Sequence, residues 1–237
     1  MNALISVIVP TFQHASALPI CLEAIFAQTY PRLEIIVVDD GSTDNTQEVL
    51  QKYQDRIKII KQANQGANPA RNRGLQEATG EFVIFCDADV IMKPQMLERM
   101  FQALLDHPEA SYAYASFWFG WKHFTGQPFD GERLRQTNFI HTSSLIRRQD
   151  FPGFDNAIKR LQDWDVWLTM LEQGKRGVLV PETLCTVSIH GASRIGSSWL
   201  PKIFYRVPWK KLGWIPRRIQ KYQAAKDVIV KKHKLNV

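Results

Sequence analysis

The sequence lacks the features of small disulfide-bonded proteins, membrane-spanning proteins and disordered chains. Its 237 residues contain three cysteines, Cys21, Cys86 and Cys185, whose spacing fits neither a disulfide framework nor a C-x-x-C zinc site. No window approaches 18 apolar residues without a charge, so we expect no membrane-spanning helix. With 45% hydrophobic and 22% charged residues, the composition instead predicts an ordered globular protein with a substantial core.

The N-terminal segment also lacks the basic stretch and the long apolar run of a secretory signal. Its short apolar run ends at Pro10. Together with the scarcity of cysteine, this predicts a reducing compartment and a cytoplasmic protein.

Acidic residues are nearly missing from the C-terminal part. Residues 199–237 hold 11 of the 30 Lys and Arg residues and one of the 23 Asp and Glu residues, so this segment carries a net charge of +10. Its Trp and Tyr residues favour the headgroup level of a bilayer, so we expect a peripheral anchor on the anionic inner face of the membrane. The alternative is a tail that packs on the domain with solvated lysines. No nucleic-acid partner is predicted, because nothing in residues 1–198 is typical of a nucleic-acid-binding fold.

Apolar β-branched runs alternate with amphipathic segments in the first half of the chain. Predicted strands at 4–9, 34–39, 57–60 and 82–86 are separated by predicted helices at 18–26, 46–53 and 69–78. This alternation predicts an α/β fold with a mostly parallel central sheet flanked by helices, whose ligands bind at the carboxyl ends of the strands.

The second half has a different texture. Residues 110–146 are rich in aromatic residues, Thr and Ser and predict strands and loops, followed by a helix at 163–171 and a short strand at 178–180 that ends before Pro181. We therefore divide the body, 1–198, into a first half, 1–106, and a second half, 107–198, with 199–237 as the tail.

Carboxylates follow two of the predicted strands. Asp39 and Asp40 come directly after the second strand, where a carboxylate can accept a hydrogen bond from a base or a ribose hydroxyl. Asp44 or Ser42 could instead cap the next helix. Asp87 and Asp89 follow the fourth long apolar run, and two carboxylates this close predict a compensating cation such as Mg²⁺ or Mn²⁺. The alternative for such a D-x-D sequence is an ordinary turn.

A third acidic feature opens the helix at 163–171. Asp163, in Gln162-Asp163-Trp164-Asp165, could cap that helix or project into a cleft as a general base. Spacing alone leaves the two roles open.

Five motifs follow one another along the chain: Ser6-Val7-Ile8-Val9-Pro10-Thr11-Phe12, Glu34 to Asp44, Asn64-Gln65-Gly66 with Ala70 to Gly74, Asp87-Ala88-Asp89, and Gln162 to Asp165. In order and spacing, they resemble those of the inverting family 2 glycosyltransferases with the GT-A fold, from about residue 4 to about residue 195. Two departures stand out: Phe12-Gln13 where many members have Tyr-Asn, and Gln162 where the family usually has Glu. The resemblance implies a nucleotide-binding half at 1–106 and an acceptor-binding half at 107–198.

The resemblance implies a role for each matching residue. It implies that Asp163 deprotonates the acceptor hydroxyl and that Asp40 orients the nucleoside pocket. It implies a divalent metal, Mn²⁺ or Mg²⁺, at Asp89 and Asp87, with His190 as a further ligand. The implied nucleoside and donor contacts are Pro10, Thr11, Phe12, Asp39, Asn64, Gly66, Arg71, Asp87 and Asp89.

The resemblance also implies the reaction: transfer of a sugar from a nucleotide-diphospho-sugar, with UDP as the expected carrier, to a hydroxyl of a carbohydrate or lipid-linked acceptor. Cell-surface polysaccharide or glycolipid assembly is the expected setting. A non-catalytic nucleotide-sugar-binding module is the alternative. A nicotinamide dehydrogenase is rejected because G-x-G-x-x-G does not follow the first strand. The glycine spacing at 191–198 lacks the lysine of a phosphate-binding loop, and the basic signature of nucleotidyltransferases is missing near the first strand.

Overall fold

The computed structural model describes residues 3–188, 207, 209 and 215–236. These residues form one mixed sheet of nine strands with helices on both faces. The strands are β1 (Ile5–Thr11), β2 (Leu33–Asp39), β3 (Lys58–Lys61), β4 (Phe82–Phe85), β5 (Val90–Met92), β6 (Tyr112–Phe119), β7 (Lys122–Phe124), β8 (Leu145–Arg147) and β9 (Gly177–Val187). The helices are α1 (Leu18–Phe26), α2 (Thr46–Gln51), α3 (Ala67–Glu77), α4 (Met96–Asp106), α5 (Gly131–Gln136), α6 (Gln162–Glu172) and α7 (Arg217–Lys232).

The sheet has two parts that meet between β4 and β8. The strand order is β3-β2-β1-β4-β8-β6-β9-β5, with β7 paired to the outer part of β6. The first four strands are all parallel, as the alternating pattern predicts. β8 is antiparallel to both β4 and β6, so β6 again runs in the direction of β4. The carboxyl ends of β1, β2, β4 and β6 consequently lie at one edge of the sheet.

Each face of the sheet buries its own apolar cluster. Ile5, Val7 and Val9 of β1 belong to one cluster with α1 and α4, whereas Ile8 belongs to the other with α3 and α6. Alternate side chains of β1 thus pack on opposite faces, and every residue of the strand is buried. This explains why the strand is a continuous apolar run in the sequence.

Two prolines lie inside strands that they were predicted to end. β1 continues through Pro10 to Thr11, because its pairing with β4 ends at Ile8 and Pro10 has a neighbour only in β2. β9 continues through Pro181, because the register with β6 skips from Val180 to Thr183. The predicted end of the last strand before Pro181 was therefore wrong: a bulge accommodates the missing N–H.

Two helices were missed by the sequence interpretation. α5 lies in the region that predicted only strands and loops, and Asp130 caps it by accepting from the N–H groups of Glu132 and Arg133. α7 lies in the basic tail; Ile219 and Ile229 are both buried, and Ile229 belongs to the apolar cluster that includes α3 and α6. No helix within the described ranges is both long enough and apolar enough to cross a membrane.

Candidate functional site

The first corner of the site lies where β1 and β2 end side by side. Thr11 pairs with Asp39 in the ladder, and both side chains are buried. Asp39 Oδ1 accepts from the Ser42 N–H at 2.9 Å, but Asp39 Oδ2 and Thr11 Oγ1 are buried without a hydrogen-bond partner among the described residues. Such groups cost free energy unless a ligand completes their hydrogen bonds. This corner is therefore suited to a polar ligand.

Asp40 differs from Asp39, because both of its carboxylate oxygens already accept hydrogen bonds from the protein. Its Oδ1 accepts from Gln62 Nε2 at 2.7 Å and from the Gln65 N–H at 2.9 Å, and its Oδ2 accepts from the Gly66 N–H at 2.8 Å. Asp40 thus fixes the loop that leads into α3. The predicted orienting role needs an arrangement of this kind.

Gly41 brings two loops of the site together. Its φ is +81°, and a Cβ at this position would lie 2.9 Å from the Asn64 backbone nitrogen. Only glycine tolerates both the backbone conformation and the close approach. Asn64, a predicted donor contact, is exposed on the loop that Gly41 supports.

Phe12 and the residues after it line the rim of this corner. Phe12 is 38% exposed, whereas Pro10 is buried within β1. Gln13, which replaces the usual Asn, has a φ of 58° and donates from Nε2 to Thr43 Oγ1 at 2.7 Å. Its Oε1 accepts from the Asp44 N–H at 2.9 Å. Gln13, the residue that departs from the family pattern, therefore stabilises the loop after Asp40 through these hydrogen bonds.

Asp44 supports the start of α2 without being its capping residue. Asn45 is the N-cap and makes no side-chain capping bond. Asp44 Oδ1 accepts from the backbone N–H and the hydroxyl of Thr46. Asp44 therefore binds the first amide of α2, as the capping alternative expected, although Asn45 occupies the N-cap position. Asp39 and Asp40 take no part in this contact and stay candidates for the site.

Asp87 and Arg71 form the ionic centre of the site. Arg71 Nη2 lies 2.7 Å from Asp87 Oδ1, and the Arg71 side chain is 6% exposed while that of Asp87 is 35% exposed. Burial acts to raise the pKa of Asp87, but the Arg71 guanidinium, with His141 and His14 nearby, holds this pKa below its ordinary value. Asp87 is thus an anion at neutral pH.

Two histidines near Asp87 were missed by the sequence interpretation. Burial lowers the pKa of His141 to about 4 and also lowers that of His14, although Asp87 opposes both shifts. His141 Nδ1 accepts from the Ser143 N–H at 3.2 Å, so the proton of the neutral ring is on Nε2. No sequence motif surrounds either residue, and only the fold brings them to Asp87.

The chemistry of Asp87 and Asp89 fits a divalent cation that also binds a diphosphate. Asp89 is half-buried, and its backbone carbonyl accepts from the Ser188 N–H at 2.8 Å. Among the described residues, no three His, Cys, Asp or Glu side chains form a metal-binding group. One or two carboxylates suffice for Mg²⁺ or Mn²⁺ when phosphate oxygens and water complete the coordination. His190, predicted as a further ligand, lies outside the described residues.

Asp163 lies in the first turn of α6, but it is not the N-cap. That position belongs to Leu161, which has a left-handed φ of 56° and makes no side-chain capping bond. Asp163 Oδ2 accepts from Asn138 Nδ2 at 2.7 Å, and Oδ1 accepts from the Trp164 N–H at 2.9 Å. Burial raises the pKa of the Asp163 carboxyl, opposed by the Trp164 N–H and by Arg71. A carboxylate with a raised pKa is a better proton acceptor, as a general base requires.

Gln162 connects this helix to the ionic centre. Its Oε1 accepts from Arg71 Nη1 at 3.2 Å, and the same Nη1 donates to Asn68 Oδ1 at 3.1 Å. The residue that replaces the usual Glu is therefore a neutral acceptor for Arg71. The structure thus links Arg71 to Asn68, Asp87 and Gln162 by hydrogen bonds. Asp163 follows Gln162 in the first turn of α6, and Thr11, Asp39 and Asp40 form the adjoining corner.

Comparisons with known proteins agree with this arrangement. The family model described as "Glycosyl transferase family 2" matches residues 6–159 of this chain. The uncharacterized glycosyltransferase YibD of Escherichia coli (strain K12) is 38% identical over 147 residues, which are 60% of this chain and 43% of YibD. The chain thus spans less than half the length of that relative.

Solved structures show the same fold. TarS 1-349 of S. aureus in complex with UDP-GlcNAc has a TM-score of 0.70 at 20% identity, covering 85% of this chain and 64% of that chain. The mannosyltransferase PcManGT of Pyrobaculum calidifontis, in complex with GDP-Man and Mn2+, has a TM-score of 0.67 at 21% identity, covering 97% of this chain and 70% of that chain. Because the family model matches more than half of its residues, this chain belongs to glycosyl transferase family 2, and it has the GT-A fold.

Proposed function

We propose that this protein transfers a sugar from a nucleotide-diphospho-sugar to an acceptor hydroxyl with inversion at the anomeric carbon. The observation that carries the proposal is the link between the ionic centre and the base: Arg71 binds both Asp87 and Gln162, and Gln162 precedes Asp163. A donor whose diphosphate lies at Asp87 would therefore have its sugar between the ionic centre and Asp163, a carboxylate of raised pKa. An inverting displacement needs a base on the face of the sugar opposite the departing diphosphate.

The corner formed by Thr11 and Asp39 is the proposed nucleoside pocket. Asp39 Oδ2 is a buried acceptor, and Thr11 Oγ1 can both donate and accept. These groups suit the N–H of a base or a ribose hydroxyl, with Pro10 and Phe12 forming the apolar wall. UDP is the proposed carrier, supported by the fold shared with a UDP-GlcNAc complex; the shared fold with a GDP-Man complex makes guanine the competing base.

The proton on the acceptor hydroxyl passes to Asp163 as the hydroxyl oxygen attacks the anomeric carbon. Asn138 and the Trp164 N–H hold the carboxylate by one hydrogen bond to each oxygen. Each oxygen retains further acceptor capacity for the hydroxyl hydrogen. The pair Arg71 and Asp87 keeps the adjoining surface polar and ordered, and Asn64 and Gly66 lie on the loop that Asp40 fixes for the donor.

A divalent cation, Mn²⁺ or Mg²⁺, would be held by Asp89 and the oxygen of Asp87 that does not contact Arg71. When bound, it would supply electrophilic stabilisation of the departing diphosphate. Support comes from the carboxylate pair itself and from the Mn2+ complex of a protein with the same fold.

The acceptor is proposed to be a carbohydrate or a lipid-linked saccharide in cell-surface polysaccharide or glycolipid assembly, met at the inner face of the membrane. The support is the excess of cations and aromatic residues in 199–237. Arg217, Arg218 and Lys221 are exposed on α7 and available to an anionic headgroup. Replacing Arg217, Arg218 and Lys221 together with Gln should reduce binding to phosphatidylglycerol vesicles at low salt; equal binding would contradict this part of the proposal.

The test of the transferase reaction is a panel of UDP-, GDP- and TDP-sugars with Mn²⁺, Mg²⁺ or EDTA, read by released nucleoside diphosphate and by the anomeric configuration of the product. The parent should release diphosphate from one donor class, and Asp163→Asn should not, whereas the matched control Asp106→Asn, in an exposed part of α4, should behave as the parent. A heat of donor binding without any released diphosphate would favour the alternative, a non-catalytic nucleotide-sugar-binding module.

A further inference from the structure

The end of α7 contacts α6 through a group of charges centred on the buried pair His233 and Asp165, with Lys232 and Glu172 at its edge, 34% and 43% exposed. His233 Nε2 lies 2.8 Å from Asp165 Oδ1, and His233 Nδ1 lies 2.8 Å from Glu172 Oε1. Lys232 Nζ lies 2.8 Å from Asp165 Oδ1 and 2.9 Å from its Oδ2. The side chains of His233 and Asp165 are 1% and 3% exposed. These contacts join two helices that are far apart in the sequence.

The group requires its cations. Asp165 is an acidic residue in the protein interior, and a buried carboxylate without a partner is strongly destabilising. Burial acts to lower the pKa of His233, but hydrogen bonds to Asp165 and Glu172 raise it above its ordinary value. The groups that face His233 are thus the two carboxylates, with Lys232 beside them as the second cation. Two cations of the tail, Lys232 and His233, therefore pair with carboxylates of the same chain.

Asp165 and Asp163 point to different sides of the same helical turn. Residues two apart on an α-helix are separated by about 200° around its axis. Asp163 contacts Asn138 on one side, and Asp165 contacts α7 on the other. Because Leu161 makes no side-chain cap at the start of α6, this first turn depends on contacts from the two sides for its position.

Lys232 also extends the contact to the donor side. Its Nζ lies 2.8 Å from Asp155 Oδ2, and the Asp155 backbone carbonyl accepts from Asn68 Nδ2 at 2.8 Å. Asn68 Oδ1 in turn accepts from Arg71. A continuous series of hydrogen bonds therefore leads from α7 through the loop before α6 to the ion pair of Arg71 with Asp87.

We propose that Lys232 and His233 are positioning residues for Asp163, so that α7 is part of the catalytic unit. This inference rests on the proposed function. Lys232 holds both the loop before α6 and the back of its first turn. His233 binds Asp165 Oδ1 through Nε2 and Glu172 through Nδ1, and so ties the first turn of α6 to its last. Without them, the first turn would shift relative to Arg71, and the base would no longer be aligned with the acceptor hydroxyl.

The test compares Lys232→Met with Lys232→Arg and with Lys231→Met in the full chain. Lys231 is exposed, adjacent and of equal charge, and it makes no ion pair within the part of the chain that is described. Lys232→Met should lower kcat by on the order of 10-fold to 100-fold, the cost of a small misplacement of reacting groups. The KM for the donor and the affinity for the nucleoside diphosphate should change by less than about twofold. Lys232→Arg should restore most of kcat, and Lys231→Met should match the parent.

An unchanged kcat in Lys232→Met, or an equal loss in Lys231→Met, would overturn the inference. If Lys232→Met fails to fold, the double variant Lys232→Met with Asp165→Asn takes its place. This variant lacks both the Lys232 cation and the Asp165 carboxylate, so no unpaired anion is left in the interior. A parent-like kcat in the double variant would also overturn the inference. If the parent itself transfers no sugar, the proposed function fails instead. Amide exchange of residues 162–166 then decides the positioning: faster exchange in Lys232→Met than in Lys231→Met supports it, and equal exchange contradicts it.

Discussion

At the end of β2, backbone N–H groups donate most of the hydrogen bonds to Asp39 and Asp40, whereas side chains from distant parts of the sequence hold α6. Asp39 and Asp40 accept from the backbone of Ser42, Gln65 and Gly66. Gln162 and Asp165 bind side chains that are 91 and 68 residues away. The nucleotide corner therefore depends on loop conformation, and the position of the base depends on the identity of individual side chains.

The largest effect is expected at the base. Asp163→Asn should lower kcat by about 10²–10⁴, the usual contribution of a positioned base. Nucleotide affinity and thermal stability should not fall, because the variant removes a buried charge whose pKa is raised by burial. Kinetics, calorimetry and a thermal melt measure the three quantities. A variant as active as the parent would assign the base to another residue.

The pH profile sharpens this assignment. Since the pKa of Asp163 is raised, the base is protonated as the pH falls through that pKa, and kcat should decrease about tenfold per pH unit below it. The midpoint should lie above the ordinary value for Asp, about 3.9. An acid limb at or below that value would contradict the assignment, provided that circular dichroism shows the protein still folded.

Asp40→Ala and Asp39→Ala should separate stability from binding. Asp40→Ala removes the acceptor of three hydrogen bonds and should lower the free energy of unfolding by about 2–4 kcal/mol, given about 1.5–3 kcal/mol for a hydrogen bond to a charged group and partial replacement by water. Asp39→Ala loses one such bond and should mainly weaken nucleotide binding. Urea unfolding and calorimetry compare them. The reverse pattern would exchange their roles.

Gly41→Ala tests whether the nucleotide corner depends on backbone geometry. With a φ of +81° and a Cβ 2.9 Å from a backbone nitrogen, alanine should cost about 1–3 kcal/mol of stability. The control is Gly174→Ala, whose φ is +75° but where no atom lies within 4 Å of the added Cβ. A larger loss at Gly174 than at Gly41 would show that the close approach carries no cost.

The smallest effect is expected from the pH dependence of stability at His233. Its pKa is raised in the folded state, so its contribution is complete below the ordinary histidine pKa of about 6.5 and is lost as the pH rises through the folded pKa. His233→Gln should therefore flatten the decline in unfolding free energy above the ordinary histidine pKa of about 6.5. An identical slope in parent and variant would mean that His233 does not titrate with folding.

The sequence predicted the parallel half of the fold because its strands are buried on both faces. The runs at 4–9, 34–39 and 82–86 are β-branched and apolar for that reason. The acidic motifs were equally readable, because Asp39, Asp40, Asp87 and Asp89 follow those strands directly. Their roles toward a ligand stay predictions.

The partners of α6 could not be predicted in the same way. Asn138 lies in no motif, and His141 meets Asp87 only through the order of strands β4, β8 and β6. In α7, only Ile219 and Ile229 are buried, so its apolar pattern is too sparse to predict a packed helix. Composition detected the excess of cations, but not that Lys232 and His233 face acidic residues of the same chain.

The contact between α7 and α6 also has a consequence during biosynthesis. Asp165 leaves the ribosome well before its two countercharges, and the strands of the nucleotide corner can assemble while the acidic helix still lacks them. Domains generally fold as units as they emerge, so a nascent chain would reach a nearly complete sheet before α6 can settle. On the proposed function, the full rate of sugar transfer is therefore expected only after translation has passed His233.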